Sequence, residues 1–199
     1  MTAAAGSPRY GCATVFNGSS AIAAGRNAMV KDAITVGCWG YMENWGNYTN
    51  GMRLISCTEG AGWTFYWNGE KIRCYLGTGT SSNTYKYINS NTTWASLSTG
   101  WHHFVLTYDG FIGKFYLDGD ENASVIAYTT KTPLFYHSSN GIFIGAEAES
   151  NLTTASSFLN GKLSDVRIYA TALTADQVAE LYRTSMIVNS DGTTSPREA

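Results

Sequence analysis

Charge is scarce in this chain. Lys, Arg, Asp and Glu make up 14% of its 199 residues and the formal net charge is −2, so it has no basic surplus with which to neutralise nucleic-acid phosphates. No apolar run approaches the length of a membrane-spanning helix. The N-terminus, Met1-Thr2-Ala3-Ala4-Ala5-Gly6-Ser7-Pro8-Arg9, lacks the charged head and long apolar core of a secretion signal. Nucleic acid as a partner and membrane insertion are therefore both disfavoured. Cys12, Cys38, Cys57 and Cys74 lack the close spacing of a zinc knuckle, and most sit in apolar strand patterns, as small buried hydrophobes do. Unpaired core thiols are expected, since a chain of this length buries a core without stapling. No Ser-His-Asp set, phosphate-binding glycine loop or Cys-His pairing is visible.

Aromatic residues, at 14% with 13 Tyr and 6 Trp, are as common as charged ones. That composition suits a surface that meets neutral, polar partners, and sugars qualify because their rings present apolar faces edged with hydroxyls. The competing explanation is that large β-sheets recruit aromatics for packing.

Eight Asx-Gly dipeptides, beginning at Asn17, Asn50, Asn68, Asp109, Asp118, Asn140, Asn160 and Asp191, punctuate the chain and predict an all-β domain of many short antiparallel strands. The clearest hairpin runs from Trp101 through Asp109-Gly110 to Asp118-Gly119, because both arms alternate apolar and polar residues and each closes on a dipeptide suited to tight turns. Phe104, Leu106, Phe115, Leu117, Ile142 and Ile144 are its expected core neighbours. One short helix is predicted after Thr174, where a hydroxyl three residues before Gln177 has capping-box spacing and Val178, Leu181 and Tyr182 form one apolar stripe. Beyond Val188 the pattern fades into polar residues, which are expected to be mobile.

Trp101-His102-His103-Phe104-Val105-Leu106-Thr107-Tyr108-Asp109-Gly110 followed by Lys114-Phe115-Tyr116-Leu117-Asp118-Gly119 resembles the central hairpin of laminin-G-like, concanavalin A-like jelly rolls. Val15-Phe16-Asn17-Gly18, Ile34-Thr35-Val36-Gly37-Cys38-Trp39, Ile142-Phe143-Ile144-Gly145 and Asn160 to Tyr169 are similar to further strands of that family, in the expected order. The resemblance implies a two-sheet antiparallel jelly-roll sandwich over residues 10–183, with a short C-terminal helix and a polar tail at 184–199. It also implies a domain that binds glycans or proteins, though some branches hydrolyse glycosides. Many relatives hold a structural calcium ion, and the matching positions here are Asn17 and Asp165. One amide and one acid make a poor oxygen set for that ion, so no cofactor is expected beyond weakly held calcium.

Residues 43–51 have no periodicity and read as a long loop, where Trp45 and Tyr48 lack an obvious packing reason and are candidates for ligand contact. Strands are expected at 63–67, 70–76 and 84–88. With Phe65, Ile72, Cys74 and Leu76 inward, alternation turns Tyr66, Arg73 and Tyr75 to the opposite face, and Tyr85, Tyr87 and Tyr116 extend that row. Aromatic faces can stack on sugar C–H groups while the Arg fork and Tyr hydroxyls direct hydrogen bonds. Ordinary cross-strand decoration is the alternative. His102 and His103 are adjacent in a strand and point to opposite faces, so they cannot readily converge on one ion. Glu147 and Glu149 are spaced to share one strand face, but against the Glu-x-Asp-x-Glu-like run that the resemblance implies for laminarinase-type glycosidases, Glu149 replaces the middle Asp and Asn151 the proton-donating Glu.

These features lead to the expectation of a non-catalytic, lectin-like adhesion module that binds a glycan or surface polysaccharide at an extracellular or virion surface, as on a phage particle. The alternative is a structural decoration or scaffolding protein that contacts other proteins of a particle.

Overall fold

The computed structural model describes residues 13–43, 51–58, 60–78, 84–126, 128–138, 140–149 and 153–196. The chain runs through β1 (Thr14–Asn17), β2 (Ile22–Gly25), β3 (Ile34–Met42), β4 (Arg53–Cys57) and β5 (Trp63–Asn68). Next come β6 (Lys71–Gly77), β7 (Tyr85–Thr93), β8 (Gly100–Tyr108), β9 (Ile112–Leu117) and β10 (Asp120–Ile126). Short strands β11 (Ile142–Ile144), β12 (Glu147–Ala148) and β13 (Ala155–Ser156) precede the long β14 (Asn160–Tyr169), helix α1 (Ala175–Ser185), β15 (Met186–Val188) and β16 (Thr194–Pro196). Among the described residues, two six-stranded sheets hold most of these strands. The first has the order β1-β14-β3-β8-β9-β10 and the second β2-β11-β4-β5-β6-β7. Every paired strand is antiparallel, and neighbours in space that are distant in sequence give the expected jelly-roll sandwich.

Period-2 alternation builds the core between the sheets. Val36, Cys38, Phe104, Leu106 and Phe115 from the first sheet meet Leu54, Trp63, Phe65, Cys74 and Leu76 from the second, all out of solvent. Ile142 is also buried, whereas Leu117 and Ile144 are half-buried against the same cluster. Asp109 closes the β8–β9 hairpin by accepting from the amides of Phe111 and Ile112, and Gly110 beside it takes φ 96°. Asn160-Gly161 differs from a turn dipeptide. Gly161 lies inside β14, where a Cβ would stand 2.8 Å from the Tyr41 carbonyl oxygen, so glycine there permits close strand approach instead of a turn.

Helix α1 has the predicted capping box, with Thr174 Oγ1 accepting from the Gln177 amide and Gln177 Oε1 accepting from the Thr174 amide. Its Val178 packs with Val105 and Tyr116 on the outer face of the first sheet. Tyr182 stacks 5.5 Å from Trp39 and 5.9 Å from His103. Two expectations are corrected here. Tyr116 has the outward parity foreseen for it, but β9 belongs to the first sheet, so α1 buries its ring instead of leaving it in an exposed row. Residues 186–196 also form the hairpin β15–β16 instead of a mobile tail, with Pro196 buried and β16 laid along β8.

Cys38, Cys57 and Cys74 are free and buried, as expected of core thiols, and Cys12 lies outside the described residues. Desolvation pushes the Cys57 thiol up to about 12, so it stays protonated and inert. No helix among the described residues is long and apolar enough to cross a membrane.

Candidate functional site

With α1 on the first sheet, no helix among the described residues lies over the outer face of the second. That face carries a cross-strand array dictated by register. Arg53 on β4 sits opposite Tyr66 on β5, Tyr66 opposite Arg73 on β6, and Arg73 opposite Asn89 on β7. One step along, Thr64 faces Tyr75 and Tyr75 faces Tyr87. Three of the expected site residues, Tyr66, Arg73 and Tyr75, thus share one face. Tyr85 and Tyr87 join them as foreseen, with centroids 5.1 Å and 5.6 Å from the Tyr75 ring.

The array is held by guanidinium–aromatic contacts. Arg53 Cζ lies 4.3 Å from the Tyr66 centroid, and Arg73 Cζ lies 5.1 Å from that of Tyr87. Tyr66 and Tyr75 meet edge to face at 5.0 Å. Arg73 donates through Nη1 to the Tyr66 hydroxyl (3.1 Å) and through Nε to Asn89 Oδ1 (2.7 Å). Burial raises the hydroxyls of both Tyr66 and Tyr75 above the ordinary tyrosine range, so both remain neutral donors at physiological pH. Arg53 and Tyr66 are covered by their neighbours, while Arg73, Tyr75 and Tyr85 are half-buried and Tyr87 is 45% exposed. The accessible part of the face is therefore Arg73 with three tyrosines and Asn89.

Sequence reasoning missed Arg53 as the organiser. Its Nη2 donates to Glu147 Oε2 at 2.7 Å and its Nη1 to the Gly51 carbonyl at 2.7 Å. Thr58 Oγ1 donates to the second carboxylate oxygen, Glu147 Oε1, at 3.0 Å. An Arg placed among apolar residues in Arg53-Leu54-Ile55 was the only local signal, because its partner is 94 positions away. Arg53 neutralises Glu147, whereas no carboxylate among the described residues pairs with Arg73.

Trp45 and Tyr48 lie outside the described residues. The described chain resumes at Gly51, whose carbonyl accepts from Arg53.

The two expected calcium positions do not converge. Asn17 pairs with Asn160 at one end of β14, and Asp165 is five residues further along, roughly 16 Å for an extended strand. Asn17 Oδ1 instead accepts from the Ser19 amide and from the Ser19 and Ser20 hydroxyls. Asp165, at φ 48°, pairs with Arg167 Nε at 2.7 Å. No cluster of three or more His, Cys, Asp or Glu among the described residues could hold a metal. His102 and His103 diverge as expected. His102 Nδ1 meets Asp118 Oδ2 at 2.6 Å, while the buried His103 ring stacks under α1.

Comparison with known proteins agrees with this architecture. A search of curated protein sequences gave no match. Among solved structures, the binding domain of a Paraclostridial mosquitocidal protein is 14% identical and covers 89% of this chain at a TM-score of 0.63, though this chain spans only 46% of that one. Domain 4 of an extracellular arabinanase from Geobacillus stearothermophilus, solved with arabinotriose, is 21% identical over 85% of this chain and 76% of its own, at 0.60. A pentraxin from Limulus polyphemus is 14% identical over 93% and 91%, at 0.59. Identities this low establish the fold alone. A family model described as the concanavalin A-like lectin/glucanases superfamily matches residues 16–179, which takes in both sheets and the start of α1. The chain belongs to the concanavalin A-like lectin/glucanases superfamily.

Proposed function

We propose that this protein is a non-catalytic glycan-binding module whose site is the outer face of the second sheet. The observation that carries the reading is the preorganised array of Arg73, Tyr75, Tyr85 and Tyr87, seated on Arg53, Tyr66 and Glu147. Rings whose rotamers are already held by neighbours lose little entropy when a sugar stacks on them, and an Arg fork with no ion pair among the described residues supplies directed donors to hydroxyl or carboxylate oxygens. Trp45 and Tyr48 remain sequence-based candidates for ligand contact, to be tested with the residues of this face.

The arabinotriose bound by the arabinanase domain and the gangliosides named for the botulinum neurotoxin type C binding domain make saccharides the natural first ligands to try. The engagement of both Glu147 oxygens by Arg53 and Thr58 supports the non-catalytic reading. An extracellular or virion surface is the setting in which such a module meets its ligand.

A glycan-array screen, followed by calorimetric titration of Tyr75→Ala, Tyr87→Ala and Trp45→Ala against the best ligand, tests the reading. Each variant should weaken binding about tenfold or more with an unchanged fold. Wild-type affinity in all three moves the site elsewhere. No glycan binding by the wild type favours protein contacts, the class of partner in the neurotoxin complex with rat synaptotagmin II, here with other proteins of a particle.

A further inference from the structure

The outer face of the first sheet is only partly used by α1. The helix covers Trp39, His103, Val105 and Tyr116, but the next row of outward residues lies beyond it. Register sets that row across four strands, with Val15 opposite Lys162, Lys162 opposite Tyr41, and Tyr41 opposite Trp101. Tyr41 and Trp101 are half-buried and their rings stand 5.4 Å apart at 58°. Lys162 Nζ is held 4.4 Å from the Tyr41 centroid. On the other side the β15–β16 turn rises as a wall. Between them lies a groove of about 800 Å³, lined by Tyr41, Trp101, Asp118, Asn189, Asp191 and Thr193, a size ordinary for small-ligand sites.

Its chemistry differs from that of the other face. Asp118 is matched by His102. The exposed Asp191 accepts from the amide and the hydroxyl of Thr193, contacts that hold its carboxyl below the ordinary Asp range. The groove therefore offers two aromatic rings, amide and hydroxyl groups, and a carboxylate with no ion pair among the described residues, where the second sheet offers the Arg73 cation with none among them.

We propose that this groove is a second saccharide site, selective for neutral oligosaccharides, with Trp101 and Tyr41 as the stacking platform and Asp191 accepting from sugar hydroxyls. Acidic sugars are repelled by Asp191, and a peptide lacks the paired apolar face and hydroxyl rim that the platform and hairpin match. The proposal takes its ligand class from the function proposed above but stands on residues of the opposite sheet. Two sites on opposite faces would let the module bridge two saccharide chains, since one flat surface could engage only one site at a time.

The test titrates arabinotriose, maltotriose and cellotriose, with sialyllactose as the acidic counterpart, into the wild type and variants. Trp101→Ala removes the platform. Thr99→Trp fills the mouth from an exposed position and serves where Trp101→Ala lowers the melting temperature. Both should reduce affinity for the neutral oligosaccharides at least about tenfold, and Tyr75→Ala should leave that component in place. Neutral binding that keeps every wild-type component in both groove variants, or no binding of any of the three neutral sugars, overturns the second site. Loss in the groove variants with no effect of Tyr75→Ala or Tyr87→Ala on any sugar leaves the groove standing and removes the site on the second sheet.

Discussion

Arg53 and Glu147 form an ion pair at 2.7 Å, with their side chains 7% and 17% exposed. A pair this dry is costly to break, because the survivor keeps its charge without its partner. The carboxylate also ties β12 to β4, and the guanidinium supports the Tyr66 ring. The ion pair thus links stability of the sheet to the shape of its outer face.

Glu147→Ala should therefore destabilise the fold by about 3–5 kcal/mol, since Arg53 is left buried and unpaired. Glu147→Gln retains hydrogen-bond acceptance and should cost less. Urea denaturation of both variants checks the order, and equal costs would show that the charge, not the retained hydrogen bond, carries the contribution.

The adjacent histidines should shift stability with pH in opposite directions. Burial pulls His103 down to about 4 from its ordinary value near 6.5. Its folded form favours the neutral ring, so its contribution is present above about pH 6.5 and is lost as pH falls towards 4, roughly 3 kcal/mol in all. Burial also pulls His102 down, but the hydrogen bond and charge of Asp118 outweigh it and the net shift is upward. Its contribution is present below the unfolded value and is lost as pH rises through the folded one. Melting temperatures from pH 4 to 8 should show a shallower acid slope for His103→Gln and a shallower neutral slope for His102→Gln.

Chelation with EDTA should leave the melting temperature nearly unchanged. A site occupied far above its dissociation constant would contribute several kcal/mol by mass action, yet Asn17 on β1 lies opposite one end of β14, Asp165 lies further along β14, and each is engaged locally. A fall of several degrees would place a metal site in this chain.

Leu106→Ala should cost roughly 2–5 kcal/mol, because the side chain is fully buried between the sheets and rigid neighbours can only partly close the cavity. Thermal or chemical unfolding measures it. A cost below about 1 kcal/mol would mean that the site collapses freely.

Much of this was legible before any coordinates. Alternation along β5, β6 and β8, with Asx-Gly at their ends, depends on steric rules that act within a few residues, so the strands, the capping box at Thr174 and the outward parity of Tyr66, Arg73 and Tyr75 could be read directly. Tertiary structure decided what those local rules cannot carry. Parity says that Tyr116 points away from the core but not which sheet it belongs to or that α1 will cover it. The pairing of Arg53 with Glu147 and the row Lys162-Tyr41-Trp101 join positions far apart in sequence through strand order. The hairpin at 186–196 has no apolar alternation of its own, and it is placed by packing on β8. Local sterics and periodicity determined the strands and their faces, whereas long-range strand order, which no short window encodes, decided which faces are covered and which remain open to a ligand.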